Sequence, residues 1–447
     1  MKTPLSRDSI LLILIISLFN GVANQPLYLT PYLEQGNIET ARKLSLVDDL
    51  TKVIPTSYSG FFTVDQLLKN HLWFWFIPAM NSDPKAPLVI YLTGGPGCSS
   101  MLNMFYGNGP LKLTKDSIGK DAHERRINSW AQTFSMLYID NIVGVGYSHS
   151  HSGKRGIKTS KNDYTQDLYD FIQQFYVMFP EIKQNDLYIG GSGFALKYAA
   201  SVAYKIHEDI QANRSNILLK GVYAGSPLID AKTQLRHFFQ YYYSLGIITN
   251  KELVEYTRET ETILVRNEKT QVLDISFLVY TLSNLSLENI NTFAWSPDVE
   301  IGNIMSADTM KFLFHVGNNS FELCSGDVYS QSALDFYLPL PELELVTLLD
   351  NYKVLFYTGV FDGVISSPGL EAVLMATPWS MQSAYNAARR TLWRDDDTVK
   401  GYYTHVGHLC RVVLHNAGMY MSNDQPENTV HMMEEFFQYG CILNTSH

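Results

Sequence analysis

The stretch LYIGGSGFALKY, Leu187 to Tyr198, constrains the fold more than any other part of this 447-residue chain. It reads as a short apolar strand, a turn of Gly190-Gly191-Ser192-Gly193, and the opening of an amphipathic helix. A strand that feeds a helix through so tight a turn belongs to a sheet covered by helices. The residue at the turn then stands at the carboxyl edge of the sheet, where open α/β sheets hold their ligands. A serine at such a corner raises the question of a nucleophile, and the register of the turn decides it.

Strand-like and helix-like segments alternate around this unit, which predicts a mostly parallel sheet. PLVIYLT (87–93), SMLYID (135–140), DLYIG (186–190), ILLKGVYAG (217–225) and KVLFYTG (353–359) are β-branched or apolar runs stopped by turn residues. Asp163 to Phe179 carries Leu168, Phe171, Ile172, Phe175 and Phe179 at helical spacing and stops at Pro180, and Phe194 to Asp209 is the helix after the glycine turn. Upstream, SYSGFFTV and HLWFWFIPA predict an antiparallel hairpin at the sheet edge. Between about 229 and 334 the rhythm breaks into a helical pattern rich in Glu, Asn and Thr. That stretch is expected to be a cap inserted over the C-terminal end of the sheet.

Near the start, Lys2 and Arg7 precede the nine-residue apolar run Ile10 to Leu18, followed by small residues around Gly21 and Ala23. This is the pattern of a secretory signal peptide, assigned to 1–23 and leaving 24–447 as the mature chain. The run is too short to span a bilayer, and no second span is found, so no membrane association is expected after cleavage. Four cysteines suit an oxidising compartment, and sequons begin at Asn213, Asn284, Asn318 and Asn444. The formal net charge of −10 argues against nucleic acid as a partner.

LTGGPGCSS (92–100) is a glycine-rich turn after a strand, without the lysine or spacing of a phosphate loop. Its backbone N–H groups suit an oxyanion instead. His149 and His151, in SHSH, suggest metal ligands, but no further ligands stand at suitable spacing, so a polar loop and no metal are expected. The 28 tyrosines either line a pocket or fill the core, and packing is the expectation.

GGPGCSS, YIDNIVGVGYS, YIGGSGFALKY, YTGVFDG and AGMYMSNDQP follow one another in an order that resembles the serine carboxypeptidase family, in its vitellogenic carboxypeptidase-like branch. The resemblance extends over nearly the whole mature chain, from QPLYLTPYLEQG to the C-terminal helix. It implies an α/β-hydrolase fold: a mixed, mostly parallel sheet flanked by helices, with a helical cap insertion. It also implies removal of C-terminal residues from peptides at acidic pH, with no cofactor. Cys98 and Cys324 match positions that are bridged in the family, while the pairing of Cys410 and Cys441 stays open.

The motifs align without gaps, and the alignment removes the chemistry. The family elbow G-E-S-Y-A-G-K-Y falls on Gly191 to Tyr198, so the nucleophile position is Gly193 and Ser192 replaces a glutamate. The small neighbours such a turn needs, two residues either side, are then Gly191 and Ala195; centred on Ser192 they would include Phe194. The triad acid is kept as Asp362 in Gly359-Val360-Phe361-Asp362, and the base position in A-G-H-M-V-P-Y-D-Q-P is Met419. A thioether accepts no proton at physiological pH. His405, His408 and His415 are poor substitutes on or near a strand. The oxyanion hole implied by the family uses the N–H groups of Gly95 and Phe194, and the carboxylate clamp positions are Thr93 and Ser192; Gly107 also replaces an acidic residue.

Loss of either nucleophile or base alone costs about a millionfold in turnover, and further losses add little. The expectation is a secreted or lysosome-like pseudoenzyme with a binding or structural role, with a peptide or small ligand in the vestigial cleft as a conceivable partner. The alternatives are an active carboxypeptidase with an unconventional triad built on Ser192, and a storage or yolk-type protein.

Overall fold

The apolar runs of the sequence become the middle of one mixed sheet. A computed structural model describes residues 25–47, 53–113, 124–270, 289–290, 298–395 and 397–441. The signal-peptide assignment and the sequons at Asn284 and Asn444 lie outside the described residues. In chain order the strands are β1 (Leu46–Val47), β2 (Ser57–Asp65), β3 (Asn70–Ile77), β4 (Leu88–Thr93), β5 (Leu111–Lys112), β6 (Glu124–Arg125), β7 (Ser135–Ile139), β8 (His149–Ser150), β9 (Leu187–Ser192), β10 (Leu219–Gly225), β11 (Lys353–Gly359), β12 (Thr391–Asp395), β13 (Thr398–Val406) and β14 (Leu409–Leu414).

The large sheet runs β1-β2-β3-β7-β4-β9-β10-β11-β14-β13-β12, with β8 added to β3, and β5-β6 form a separate ribbon. Its centre, β7-β4-β9-β10-β11-β14, is parallel. Antiparallel strands finish both edges: β1 to β3 on one side, β13 and β12 on the other. The expected hairpin of SYSGFFTV and HLWFWFIPA is β2-β3 at its edge position. β12 to β14 complete the sheet beyond the five parallel strands read from the apolar runs.

Both faces of the centre are covered, which is why its strands are apolar throughout rather than alternating with polar residues. Successive side chains instead divide between two cores. Leu72, Phe74 and Phe76 of β3 and Leu88, Ile90 and Leu92 of β4 join the core under the helices Lys161–Met178, Ala195–Gln211 and Glu342–Asn351. Trp73, Trp75, Val89 and Tyr91 point the other way, into a core with the helix Pro426–Tyr439. Tyr91, Tyr138, Tyr188, Tyr223 and Tyr357 are all buried in this second core. The hydroxyls of Tyr138, Tyr188 and Tyr223 donate to Asn108 Oδ1, Phe437 O and Ile90 O at 3.1, 3.0 and 2.9 Å. These tyrosines fill the core.

The segment 229–334 holds the helices Ala231–Arg236, Phe238–Ser244, Asn250–Thr270, Asp298–Ser306, Asp308–Leu313 and Gly326–Gln331, and no named strand among its described residues. It reaches the carboxyl ends of the central strands. Tyr241 Oη donates to Val360 O, Tyr242 Oη to Gly363 O at 3.1 Å, and Ile290 N to Phe361 O at 3.0 Å. No helix among the described residues is long and apolar enough to cross a membrane.

Candidate functional site

β9 ends at Ser192 and the next helix begins at Ala195, so Gly193 and Phe194 form the whole turn. Gly193 has a φ of +61°, in the left-handed region where glycine is favoured. Its N–H donates to Gly225 O at 2.9 Å, and its carbonyl accepts from Leu228 N at 3.1 Å, which fixes the corner against the end of β10. Gly191 answers the requirement for small residues: a Cβ there would fall 1.8 Å from Leu92 O and 3.0 Å from the Ala195 Cβ.

A Cβ on Gly193 would meet, beyond its chain neighbours, just one atom within 4 Å among the described residues: Met419 Cε at 3.4 Å. The two positions that the motif register assigns to nucleophile and base therefore face each other across van der Waals distance. One has no side chain and the other ends in a methyl group.

Asp362 follows β11 and is fully buried. One carboxylate oxygen accepts from the N–H groups of Val364 and Ile365, both at 2.9 Å, and the other accepts from the Ser226 hydroxyl. The loop carrying Asp362 is sewn to the one carrying Met419 by Phe361 N to Ala417 O at 2.7 Å. Asp424 shapes the Met419 loop by accepting from Gly418 N at 2.8 Å and Asn289 Nδ2 at 2.9 Å. Burial raises its carboxyl above the ordinary value.

The three candidate substitute bases are elsewhere. Val354 N donates to His408 O, so His408 stands beside the first residues of β11, and His405 pairs with Cys410 at the same end of the sheet. Asp362 lies past the opposite end, about 17 Å away at ~3.3 Å per residue. The His415 ring packs edge-on against Tyr402 of β13, at 5.0 Å between centroids.

Thr93 and Ser192 are register partners on β4 and β9, and both hydroxyls accept from Asn103 Nδ2, at 3.0 and 3.2 Å. Asn103 was not foreseen, because it is one polar residue inside the run MLNMF. Asn103 and Ser192 line a small cleft together with Tyr91, Gly107, Tyr357, Met419 and Tyr420. The void it leaves is about 10 Å³, room for roughly one water. No histidine among the described residues lines it.

Gly95 and Phe194 are on adjoining backbone: a Cβ on Gly94 would stand 2.6 Å from Phe194 N. Neither the Gly95 nor the Phe194 N–H donates to a backbone carbonyl among the described residues. The Gly95 turn is anchored by the Cys98–Cys324 disulfide, the pair implied by the motifs. Ser99 N to Leu323 O and Ser325 N to Gly97 O, at 2.7 and 2.8 Å, reinforce it. Cys410 and Cys441, left open by the sequence, are also bonded and tie β14 to the end of the last helix. Asn213 and Asn318 are exposed.

The sequence profile of the serine carboxypeptidase family matches residues 50–294 and 289–439. The chain belongs to the serine carboxypeptidase family. It is 31% identical to a probable serine carboxypeptidase (CPVL) of Homo sapiens, over 94% of this chain and 91% of that one. It is 31% identical to the vitellogenic carboxypeptidase of Aedes aegypti over 93% and 90%, and 30% identical to the venom serine carboxypeptidase of Apis mellifera over 93% and 91%. Kex1(delta)p, a prohormone-processing carboxypeptidase from Saccharomyces cerevisiae, superimposes with a TM-score of 0.80 over 91% of this chain and 98% of that one. At 18% identity that likeness establishes a shared α/β-hydrolase fold.

Proposed function

We propose that this serine carboxypeptidase family member is a pseudoenzyme: a secreted protein that keeps the family scaffold and does not hydrolyse peptides. One observation carries the reading, the meeting of Gly193 with Met419 Cε where a hydroxyl and an imidazole would have to meet. Peptide hydrolysis needs an oxygen to attack the carbonyl and a base to take its proton, and this corner offers neither. The intact amides of Gly95 and Phe194 would on their own leave about a thousand- to ten-thousandfold over water. Ser192 offers no second triad, because its hydroxyl is engaged by Asn103 and no histidine among the described residues lines the cleft.

The role is structural rather than that of a carrier using this cleft. Ligand pockets commonly enclose several hundred Å³, against the roughly 10 Å³ left here. Two disulfides support assembly in an oxidising compartment, and Asn213 and Asn318 are open to glycan attachment. The decisive experiment incubates the purified protein with a serine-directed fluorophosphonate and with blocked dipeptides near pH 5. No covalent adduct is expected, and turnover should lie about a millionfold below that of a family member with a complete triad. Turnover that disappears in Ser192→Ala would overturn the reading in favour of an unconventional carboxypeptidase.

A further inference from the structure

His149 and His151, set aside in the sequence for want of a third ligand, acquire one in the fold. β8 pairs antiparallel with β3 in a register that sets His149 opposite His71. Residues two apart on an extended chain share a face, so His151 joins them, its N–H donating to Lys69 O at 3.2 Å. The ring centroids form a nearly equilateral triangle with sides of 5.2, 5.0 and 5.7 Å. One ligand nitrogen from each ring lies within 4.8 Å of the other two. Tyr28, from the segment before β1, reaches into the group: its hydroxyl is 3.0 Å from His149 Nε2 and 3.1 Å from His151 Nε2.

Packing alone leaves one fact about this cluster unexplained. His71 is 5% exposed, and its Nε2 is buried with no hydrogen-bond partner. Buried polar atoms are nearly always satisfied, and one that is not asks for a missing partner. The Nδ1 atoms of His71 and His149 are already held in the manner of metal-binding histidines, which pass their second N–H to an outer acceptor. His71 Nδ1 is 3.0 Å from Thr63 Oγ1, and His149 Nδ1 is 3.0 Å from Tyr147 O, which accepts its N–H. With Nδ1 as the donor each Nε2 keeps its lone pair: that of His149 lies 3.0 Å from the Tyr28 hydroxyl, and that of His71 is unpartnered.

We propose that His71, His149 and His151 bind a divalent transition-metal ion of the zinc–copper class, with the Tyr28 oxygen at a fourth position as a phenolate whose proton passes to bulk water on binding. Imidazole is the preferred ligand of these ions, and three imidazoles plus one oxygen make a four-coordinate set. Nitrogens bound tetrahedrally at ~2.0–2.1 Å stand about 3.4 Å apart, so the rings close inward by about 1 Å or so on binding. His151 is exposed and gives the ion its way in; Lys69, the neighbouring cation, is exposed to solvent that screens it. The ion would clamp the Tyr28 segment, β3 and β8 into one unit at the sheet edge, far from the Gly193 corner in sequence and independent of the reading of that corner.

The test titrates chelator-treated protein without a histidine tag with zinc sulfate and copper sulfate at pH 7, by calorimetry and thermal melting. One saturable equivalent per chain and a raised melting temperature are expected. His151→Ala, at an exposed position that folding tolerates, and His71→Gln should each weaken binding about tenfold or more. His405→Ala combined with His408→Ala should leave it unchanged. Tyr28→Phe should lower affinity and abolish the phenolate-to-copper absorption band of the copper form. The absence of saturable binding, or an affinity that His151→Ala does not move, would overturn the site; a wild-type copper form without that band would remove Tyr28 from it.

Discussion

Replacing Gly193 with serine and Met419 with histidine together should create a carboxypeptidase, and replacing either alone should not. The fold cost is small and can be worked from the corner itself. A non-glycine residue at the left-handed φ of +61° costs about 1–2 kcal/mol. Space is not the obstacle, because the new Cβ would meet Met419 Cε at 3.4 Å, an ordinary contact that the second change removes. In a chain of this length the melting temperature should fall by about 2–4 °C at most. The catalytic gain is strongly non-additive, since a triad lacking one member is nearly as poor as one lacking several. A complete triad is worth about a millionfold. The missing glutamate at Ser192 forfeits a hydrogen bond to a charged group, about 1.5–3 kcal/mol, or roughly ten- to a hundredfold. The double variant should therefore exceed either single variant by about ten-thousandfold in dipeptide hydrolysis near pH 5, and it alone should label with a fluorophosphonate. Suppose instead that it melts within a few degrees of wild type, stays unlabelled, and remains silent after Ser192→Glu and Thr93→Gln are added. The assignment of Gly193 and Met419 to nucleophile and base would then be wrong.

Removing the Cys98–Cys324 bridge, which closes a separation of 226 residues, should lower unfolding stability by up to about 5 kcal/mol, and removing Cys410–Cys441, with a separation of 31, by up to about 4 kcal/mol. Denaturant midpoints of the paired alanine variants test both the values and their order. Burial lowers the His315 imidazole from 6.5 to about 4. Its folded form binds its proton less readily than the unfolded chain does, so its stabilisation is complete above about pH 6.5 and is lost as the pH falls toward about 4, with a slope of up to about 1.4 kcal/mol per pH unit. Asp140, raised to about 7 chiefly by burial, acts in the opposite sense: its stabilisation is complete below about pH 4 and is lost as the pH rises through 7. The wild type minus His315→Asn difference between pH 7 and 4.5 isolates the first effect. Asparagine suits the φ of +55° at this position, and an unchanged difference would refute the argument.

The central strands were legible because they are buried on both faces, so β4, β7, β9 and β11, and β10 apart from the exposed Lys220, announce themselves as runs with little charge. β12 and β13 are outer antiparallel strands with many exposed residues and carry little such signal. β14 is interrupted by Arg411, a buried cation whose guanidinium donates to Ser367 O and Oγ at 2.7 and 2.8 Å. The motif register located the corner of the site, since a strand, a two-residue turn and a helix permit no slippage between Gly191 and Ala195. What it did not disclose depends on strands distant in sequence. Asn103 matters because β4 and β9 bring Thr93 beside Ser192, and His71 matters because β3 and β8 set it against His149.

The presence of Asp362 beside the Gly193 and Met419 positions follows from the same geometry. Its carboxylate accepts two backbone N–H groups and the Ser226 hydroxyl, and it is fully buried. It therefore shapes the loop between β11 and the helix Ser367–Ala376 whether or not an imidazole stands beside it. Gly193 and Met419 carry no such duty: one lacks a side chain, and the other contributes a half-buried thioether. Asp362→Ala would leave three donors without their acceptor, each costing about 1–3 kcal/mol when buried, and should destabilise the fold by at least about 3 kcal/mol. Asp362→Asn keeps an oxygen for the two N–H groups and should cost markedly less. Equal midpoints for the alanine variant and the wild type would mean that the acid has no structural duty. Its presence would then argue for chemistry at this corner, against the pseudoenzyme.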